Sequence, residues 1–452
     1  MSQNSADPLD PARADALAAD ALAAAKTAGA DAADAVVLAS RSLSATVRNG
    51  TIEEAVQSEE TEIGLRVFVG DRSALVMVGA PSGLAAAAER AVAMAKAAPE
   101  DATQAIAPAN LLTTSIPSDL EIYDPTTQSM DALIERARAL EAVMQHVPGV
   151  TNSGGVSASA AHAVRALATS NGFAQTYATS THSHSATAVA GAGTKMERDY
   201  WFSSRRHLAD LEPIESVGKI AGERAVRSLG GEAISTRNAT IVFEPRAATG
   251  FVGHLIGAIN GSAVARGATL LAGKIGERVF PQGITVTDDP GLVRGQASRP
   301  FDHEGLANKA LNLVADGVLK QYILDLQSAR KLGLTSNGRA RRGTGAPSPG
   351  STNIAITGGS GDLQSIMNEV GSGLLVTSLI GMGANIVNGN YSRGAAGFWF
   401  ENGEVQQPVA EITIAGNLAD MFARARFGDD APGMFATNAP TVAIEGLTIG
   451  GR

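Results

Sequence analysis

Two stretches of the N-terminal half alternate apolar with small polar residues, and this period of two constrains the fold more than any other feature. The first stretch covers residues 34–79 and the second covers residues 150–210. Successive side chains of a strand point to opposite faces, so such alternation is typical of strands. Asn49-Gly50 and Asn171-Gly172 are favoured tight-turn dipeptides. The pattern predicts antiparallel strands joined by hairpins, with three or four strands in the first stretch.

Helical spacing of apolar residues flanks these strands. It predicts helices over residues 12–27, 84–97, 130–145 and 214–229. In the second half, short strands are expected among many glycines, together with helices near residues 246–259, 306–316 and 362–370. Strands and helices do not alternate regularly there, so the predicted fold class is α+β and not a doubly wound sheet.

A chain of 452 residues exceeds what one hydrophobic core usually supports, and its composition changes after Gly230-Gly231. We therefore predict a flexible N-terminus over residues 1–10 and two domains. The first, over 11–235, combines helices with an antiparallel sheet, and the second, over 236–452, is glycine-rich and mainly β.

The formal net charge of −9 argues against a nucleic-acid partner, because phosphate contacts require a basic face. The absence of cysteine excludes disulfides, thiolate catalysis and cysteine-ligated metals. No secretory signal pattern and no apolar run of about 18 residues is present. The expected compartment is the cytoplasm, with no membrane contact.

A search for chemistry finds two clusters of titratable residues. His182 and His184 are two apart, so a strand would place both rings on one face, either as a metal site or simply as a polar face. Asp302 and Glu304 flank His303 and could act as an acid–base pair or as a site for a hard cation. The simpler interpretation of that second cluster is a turn that caps a helix beginning near Leu306.

The basic segment 337–352 is rich in glycine and proline and is expected to be a long loop. Arg339, Arg341 and Arg342 could steer acidic groups or a peptide C-terminus. A solvated loop is the simpler interpretation of this run.

The C-terminal half resembles the TldD/PmbA family, whose members are linked to proteolysis and are also described as modulators of DNA gyrase. The resemblance spans about residues 240–452 and depends on six ordered strings. They are GATLLAGKIGE (267–277), ITVTDDP (284–290), FDHEG (301–305), DGVLKQYILDLQSARKLG (316–333), NGNYSRGAAGFWFENGEVQQPVAEITIAGNL (388–418) and IEGLTIGG (444–451).

The resemblance implies a choice between two branches. The TldD branch is a zinc peptidase with an H-E-x-x-x-H helix and a later cysteine ligand, whereas the TldE (PmbA) branch lacks these ligands and pairs with TldD. Counting back without gaps from Gly267 and Gly261, the two histidine positions of the motif fall on Val252 and Gly257, and the glutamate position falls on Gly253. Neither valine nor glycine can bind zinc or carry a proton. The chain therefore resembles the TldE/PmbA branch, with no catalytic or metal residue of its own.

These features predict a metal-free subunit of a cytoplasmic TldD/TldE metalloprotease that degrades peptides or unfolded segments. The partner would supply zinc, and this chain would shape the substrate cavity or form a homodimer in isolation. Glycine-rich stretches suggest substrate contacts at Ser351, Thr352, Asn353, Asn388, Asn390 and Tyr391. Two alternatives stay open, a stand-alone hydrolase using His182/His184 or Asp302/Glu304, and a non-enzymatic modulator of gyrase or another complex.

Overall fold

The N-terminal half is built on one long antiparallel sheet. The computed structural model describes residues 7, 9–79, 81–117 and 119–452. The strands are β1 (Ala32–Arg48), β2 (Thr51–Val69), β3 (Arg72–Val78), β4 (Val150–Thr169), β5 (Ala174–Ala190) and β6 (Glu197–Arg205), in the spatial order β3-β2-β1-β4-β5-β6. Asn49 and Gly50 join β1 to β2 with φ of 51° and 76°, the left-handed conformation that a tight hairpin requires. The predicted antiparallel strands are confirmed.

One face of this sheet carries four helices, α1 (Pro11–Thr27), α2 (Leu84–Ala97), α3 (Met130–Gln145) and α4 (Ile214–Arg227). On β4, Val164 and Ala166 pack with α1 and α2, whereas Val156 and Ala158 pack with α3 and α4. All four are even-numbered positions of one strand, so both helix pairs lie side by side on the same face, hereafter the helix face. The four predicted helices are confirmed.

The opposite face, hereafter the open face, meets the C-terminal half of the chain. Phe301 contacts the rings of Phe173 and Tyr177 at centroid distances of 5.2 and 5.4 Å. At Gly64 of β2, an added Cβ would lie only 2.0 Å from the carbonyl oxygen of Thr344. Glycine is therefore required at this position for the two halves to approach each other.

The C-terminal half contains two further sheets and a two-stranded hairpin. Its strands are β7 (Arg237–Phe243), β8 (Thr285–Asp289), β9 (Leu311–Ala315), β10 (Val318–Leu319), β11 (Ala340–Arg341), β12 (Ser348–Pro349), β13 (Asn353–Thr357), β14 (Ser372–Ile380), β15 (Asn390–Glu401), β16 (Glu404–Asn417), β17 (Arg426–Phe427), β18 (Thr437–Asn438) and β19 (Val442–Gly450). One sheet has the order β16-β15-β14-β7-β19-β17, and a further pairing of β16 with β19 closes five of these strands into a ring. The other has the order β10-β9-β8-β13-β18.

The helices of this half are short. They are α5 (Pro245–Ala258), α6 (Gly261–Ala265), α7 (Leu326–Leu332), α8 (Leu363–Val370) and α9 (Leu418–Arg424). The inner side of α5 packs into an aromatic core, where Phe251 lies 5.1 Å from Phe422 and 6.4 Å from Phe243 between ring centroids. Few residues of the chain are aromatic, only 4%, and this cluster brings Phe243, Phe251 and Phe422 together in the core of the C-terminal half. The α+β fold class is confirmed.

Two predictions for this half are wrong. Residues 306–316 do not form a helix, because Asp316-Gly317 makes a tight turn with φ of 51° and 74° and folds β9 back on β10. The segment 337–352 is not a solvated loop, since it forms the β11–β12 hairpin and buries Arg339 and Arg342. Both segments instead fold back on themselves as hairpins.

Other statements about organisation stay predictions, namely the domain boundary near residue 235 and the flexible N-terminus. Most of residues 1–10 lies outside the described part of the chain. Among the described residues, no helix is both long enough and apolar enough to cross a membrane.

Candidate functional site

The outer side of α5 is almost bare of side chains. Arg246, Gly250, Gly253 and Gly257 follow one another at spacings of four, three and four residues, which places them in one row along the helix. A Cβ added at Gly253 or Gly257 would meet no atom within 4 Å. Each glycine costs a helix interior roughly 0.5–1 kcal/mol relative to alanine. The row therefore leaves exposed backbone and free space beside it at a cost in helix stability.

A cleft of about 750 Å³ lies between the edge strand β6 and the N-terminal end of this row, where Arg246 and Gly250 line it. Arg246 forms its floor and donates to the two carboxylate oxygens of Asp199 at 2.8 and 3.0 Å. The guanidinium also lies over the ring of Tyr200, 4.7 Å from its centroid. Burial alone would raise the pKa of Asp199, but Arg246 and Arg224 outweigh it and hold that pKa below its usual value. This wall of the cleft is thus a fixed ion-pair network.

Arg393, Tyr391 and His254 form a polar group between β15 and α5. Arg393 lines the cleft, and its buried Nε has no hydrogen-bond partner among the described residues. The ring of His254 packs edge-on against Tyr391 at 5.8 Å. Burial, and then the charge of Arg393, lower the pKa of His254, while burial raises the pKa of Tyr391 to about 12. At neutral pH, His254 is therefore an uncharged imidazole and Tyr391 an intact phenol.

The three positions that the resemblance assigns to the H-E-x-x-x-H motif do not lie on the same side of α5. Val252 is completely buried in the aromatic core, whereas Gly253 and Gly257 face the free space. Within the described part of the chain, no group of three or more His, Cys, Asp or Glu could hold a metal ion. The donor chemistry at α5 therefore does not fit the zinc ion that the family implies. The assignment of the motif to these positions stays a prediction.

The predicted substrate residues lie in two places. Thr352 and Asn353 are buried, and Asn353 Nδ2 donates to Ser298 Oγ at 2.8 Å and to the carbonyl of Asp289 at 2.7 Å. Ser351 lines a different cavity, on the open face of the N-terminal sheet. The other three are Asn388 and Asn390, which are exposed, and Tyr391, which packs against His254. Their role in substrate binding stays a prediction.

His182 and His184 lie on the helix face, between the two helix pairs. Both are completely buried, and His182 contacts residues 124–128. His182 Nε2 lies 3.5 Å from Asp124 Oδ2, and its Nδ1 lies 3.2 Å from Gln128 Nε2. Burial lowers the pKa of both imidazoles, to about 4 for His184. The strand face is polar, as the sequence suggests, but these neutral rings are out of reach of a substrate.

The Asp302–Glu304 cluster is buried where the open face meets the C-terminal half. Asp302 Oδ1 accepts from the backbone of Glu304 and Leu306 at 2.9 and 2.8 Å, and its Oδ2 accepts from Ala340 at 3.1 Å. No helix begins at Leu306, so the interpretation as a helix cap at that position is wrong. Glu304 instead accepts from the backbone of Leu326, at the start of α7.

Glu304 lines a small cavity of about 200 Å³ together with Arg66 and Asp325. Burial, and then the charge of Asp302, raise the pKa of Glu304 to about 8. The group is therefore a neutral acid at pH 7, able to donate a hydrogen bond. The sequence identified these carboxyl groups as candidates for chemistry, but it did not show that they are buried.

Comparison with known proteins gives consistent matches along the chain. Sequence profiles for PmbA/TldA metallopeptidase domain 1, central domain and C-terminal domain match residues 33–95, 123–229 and 236–451. The metalloprotease PmbA of Escherichia coli O157:H7 is 36% identical over 392 residues, covering 86% of this chain and 85% of that protein.

Two solved structures share the fold over almost the whole chain. A candidate modulator of DNA gyrase from Bacteroides thetaiotaomicron has a TM-score of 0.89 at 26% identity, covering 97% of this chain and 98% of that one. TldE from Thermococcus kodakarensis has a TM-score of 0.84 at 23% identity, covering 96% and 100%.

Proposed function

This chain belongs to the PmbA/TldD metallopeptidase family, and we propose that it is the PmbA-type, or TldE-type, subunit of a two-component cytoplasmic metalloprotease. A TldD-type partner would supply the zinc ion and the general base. This chain would supply half of the enclosure in which peptides or unfolded segments are cut.

The observation that carries the proposal is the bare outer row of α5. The resemblance implies that the metal-binding helix of the zinc branch corresponds to α5, which would put Val252, Gly253 and Gly257 at the ligand and base positions. The free space beside Gly253 and Gly257 suits close approach by another chain, because exposed helix backbone without side chains allows short contact distances.

The surroundings of this row support a role in holding an extended peptide. The cleft beside it borders the edge strand β6, and an extended segment can add to an exposed strand edge through main-chain hydrogen bonds. Main-chain recognition tolerates many sequences, as degradation of peptides requires. Arg393 offers a cation with an unpartnered Nε, which suits a peptide carboxylate.

The first experiment compares the purified chain, its TldD-type partner and their mixture for cleavage of an unstructured peptide, with metal content measured in each. We expect cleavage by the mixture and neither cleavage nor stoichiometric zinc in this chain alone. Peptidase activity or one bound zinc per molecule of the isolated chain would overturn the proposal.

A second experiment uses the free space at α5. A Cβ at Gly253 or Gly257 meets no atom of the described residues within 4 Å, so we expect Gly253→Trp and Gly257→Trp to fold with a melting temperature no lower than that of the wild type. If the row faces the partner or the peptide, each variant lowers activity of the mixture at least about tenfold, equivalent to about 1.4 kcal/mol. Gly79→Trp, at an exposed and equally unobstructed glycine outside the cleft, is the matched control. Full activity of both α5 variants would contradict the proposed location.

In the absence of its partner, we propose that the same surface pairs two copies of this chain, since a surface that fits a homologous subunit can also fit itself. Light scattering of the isolated chain tests this. Gly257→Trp should shift the chain from dimer to monomer, whereas Gly79→Trp should not.

A further inference from the structure

A second large cavity, of about 770 Å³, lies between the open face of the N-terminal sheet and two C-terminal segments, 295–303 and 341–351. Its sheet wall includes Arg165 on β4 and Tyr177 on β5, which are directly paired across the two strands. The cavity does not include the α5 row, so it is distinct from the cleft assigned to peptides.

Arginine dominates this cavity, hereafter the arginine cavity. Among the described residues, five guanidinium groups line it and no Asp or Glu does so. They belong to Arg165, Arg206, Arg299, Arg341 and Arg342. Arg299 and Arg342 are each only 6% exposed. Buried cations are normally paired with carboxylates, so this concentration of one charge sign is unusual for a structural site.

The arginines differ in how far the protein satisfies them. Arg206 is held by backbone carbonyls, donating from Nη1 to Ser180 at 3.0 Å and from Nε to Gly295 at 3.3 Å. Arg342 donates from Nη1 to Asp34 at 2.6 Å, but its Nε and Nη2 have no partner among the described residues. Arg299 Nε and Arg165 Nη1 are likewise buried without a partner there. Leaving charged donors buried without acceptors is costly.

The surroundings of His303 show that three of these arginines lie close enough to affect one side chain. Its Nδ1 accepts from the backbone of Arg342 at 2.9 Å, and its Nε2 lies 3.1 Å from the Tyr177 hydroxyl. Burial, and then the charges of Arg165, Arg299 and Arg342, lower the pKa of His303 far below its usual value. His303 is thus neutral and adds no charge, while the three guanidinium groups surround it.

We propose that the arginine cavity binds a small polyanion, specifically a compound carrying two or more linked phosphate groups. A diphosphate concentrates several charges and many acceptor oxygens in a few ångströms, which suits unpartnered donors of Arg165, Arg299 and Arg342 around one imidazole. The planar guanidinium fork matches phosphate oxygens in pairs of hydrogen bonds. The cavity volume lies in the range of small-molecule sites.

A single carboxylate, such as a peptide C-terminus, would leave most of these donors without an acceptor. An acidic peptide fits less well too, because its charges are spread along an extended backbone of about 3.3 Å per residue. This binding goes beyond the proposed peptidase role and does not require the partner subunit.

The test is binding of inorganic pyrophosphate and triphosphate to the full-length chain by isothermal titration calorimetry in magnesium-free buffer. We expect one site per chain, a rise in melting temperature with ligand, and an affinity that falls as salt is raised. Arg165→Gln, at a partly exposed strand position, and Arg299→Gln should each weaken binding at least about tenfold. Arg48→Gln, a surface arginine of the same sheet, should leave it unchanged.

Three outcomes would overturn the proposal. The first is no binding of either phosphate compound at millimolar concentration. The second is equal weakening by Arg48→Gln and Arg165→Gln, which would indicate nonspecific attraction. The third is binding of a glutamate-rich peptide with no binding of pyrophosphate, which would assign the cavity to acidic peptides. The melting temperature of each variant shows whether it is folded. If Arg299→Gln does not fold, the binding measurement on Arg165→Gln still tests the proposal.

Discussion

The two faces of the N-terminal sheet come from the same strands yet carry largely different side chains. On β4 the helix face carries Val156, Ala158, Val164 and Ala166, all buried. The open face of the same sheet carries hydroxyl and guanidinium groups. Its cross-strand pairs include Ser157 with Ser185 at 2.9 Å and Ser159 with Ser183 at 2.7 Å between hydroxyl oxygens, and Arg165 follows on β4.

The helix face therefore mainly stabilises the fold, whereas the open face provides the charged groups for contacts and binding. Small apolar residues let four helices pack closely on one face, and this packing supplies most of its core burial, although the buried rings of His182 and His184 also lie there. The open face instead joins the two halves of the chain through buried charge. Asp34 of β1 accepts from Arg66 Nε at 2.8 Å and from Arg342 Nη1 at 2.6 Å. We expect charge-changing substitutions to lower the free energy of unfolding most on the helix face. On the open face, we expect the stability that charged groups contribute to depend on pH.

The largest effect is expected for a charge placed in the helix face. Ala158 is 0% exposed, and Ala158→Asp would bury a carboxylate between the sheet and α3 and α4 without a partner. We expect a loss of about 5 kcal/mol or more in the free energy of unfolding. Ala161→Asp, three positions later on the half-buried open face, should cost about 1 kcal/mol or less. Urea denaturation measures both, and equal losses would refute the division between the faces.

A smaller loss is expected when the ion pair between the two halves is broken. Burial alone would raise the pKa of Asp34, but the charges of Arg342 and Arg66 outweigh it, so the pKa lies below its usual value. Asp34→Asn leaves two buried guanidinium groups uncompensated and should cost about 3–5 kcal/mol at pH 7. The wild-type contribution is present above pH 3.8 and is lost as the pH falls through the lowered pKa. Asp20→Asn, at an exposed position of α1, should cost less than about 0.5 kcal/mol.

The smallest effect, which depends on pH, is expected at Glu304. Its pKa is raised from 4.5 to about 8 in the folded chain, so the folded state holds a proton that the unfolded state releases. The stability that this proton contributes is present below pH 4.5 and is lost as the pH rises through about 8. Glu304→Gln should remove this slope and be more stable than the wild type at pH 9, by roughly 2 kcal/mol.

Unfolding free energies measured from pH 5 to pH 9 test this expectation, with Glu135→Gln on the exposed side of α3 as the control. If Glu304→Gln and the wild type show parallel pH profiles, the open face does not bury a neutral acid at this position.

Much of the fold followed from local pattern alone. The alternation over residues 34–79 and 150–210 predicted the antiparallel strands, because side-chain direction along a strand depends only on the backbone. The helix over 130–145 was predicted with the observed bounds Met130–Gln145, since its apolar spacing is a local signal. The assignment of the motif positions to Val252, Gly253 and Gly257 depends on order along the chain and stays a prediction, and the burial of Val252 was not part of it.

What the sequence could not show depends on which distant segments meet. Residues 306–316 carry an apolar pattern compatible with a helix, but pairing of β9 with β8 made them a strand. Arg342 looked like part of a solvated basic loop until the fold placed it against Asp34. The arginine cavity likewise combines β4 with a C-terminal loop. Local periodicity determined which elements form, because it depends on short-range backbone geometry. Burial of charge and the shape of cavities were decided only by tertiary contacts, because they depend on packing between segments far apart in the chain.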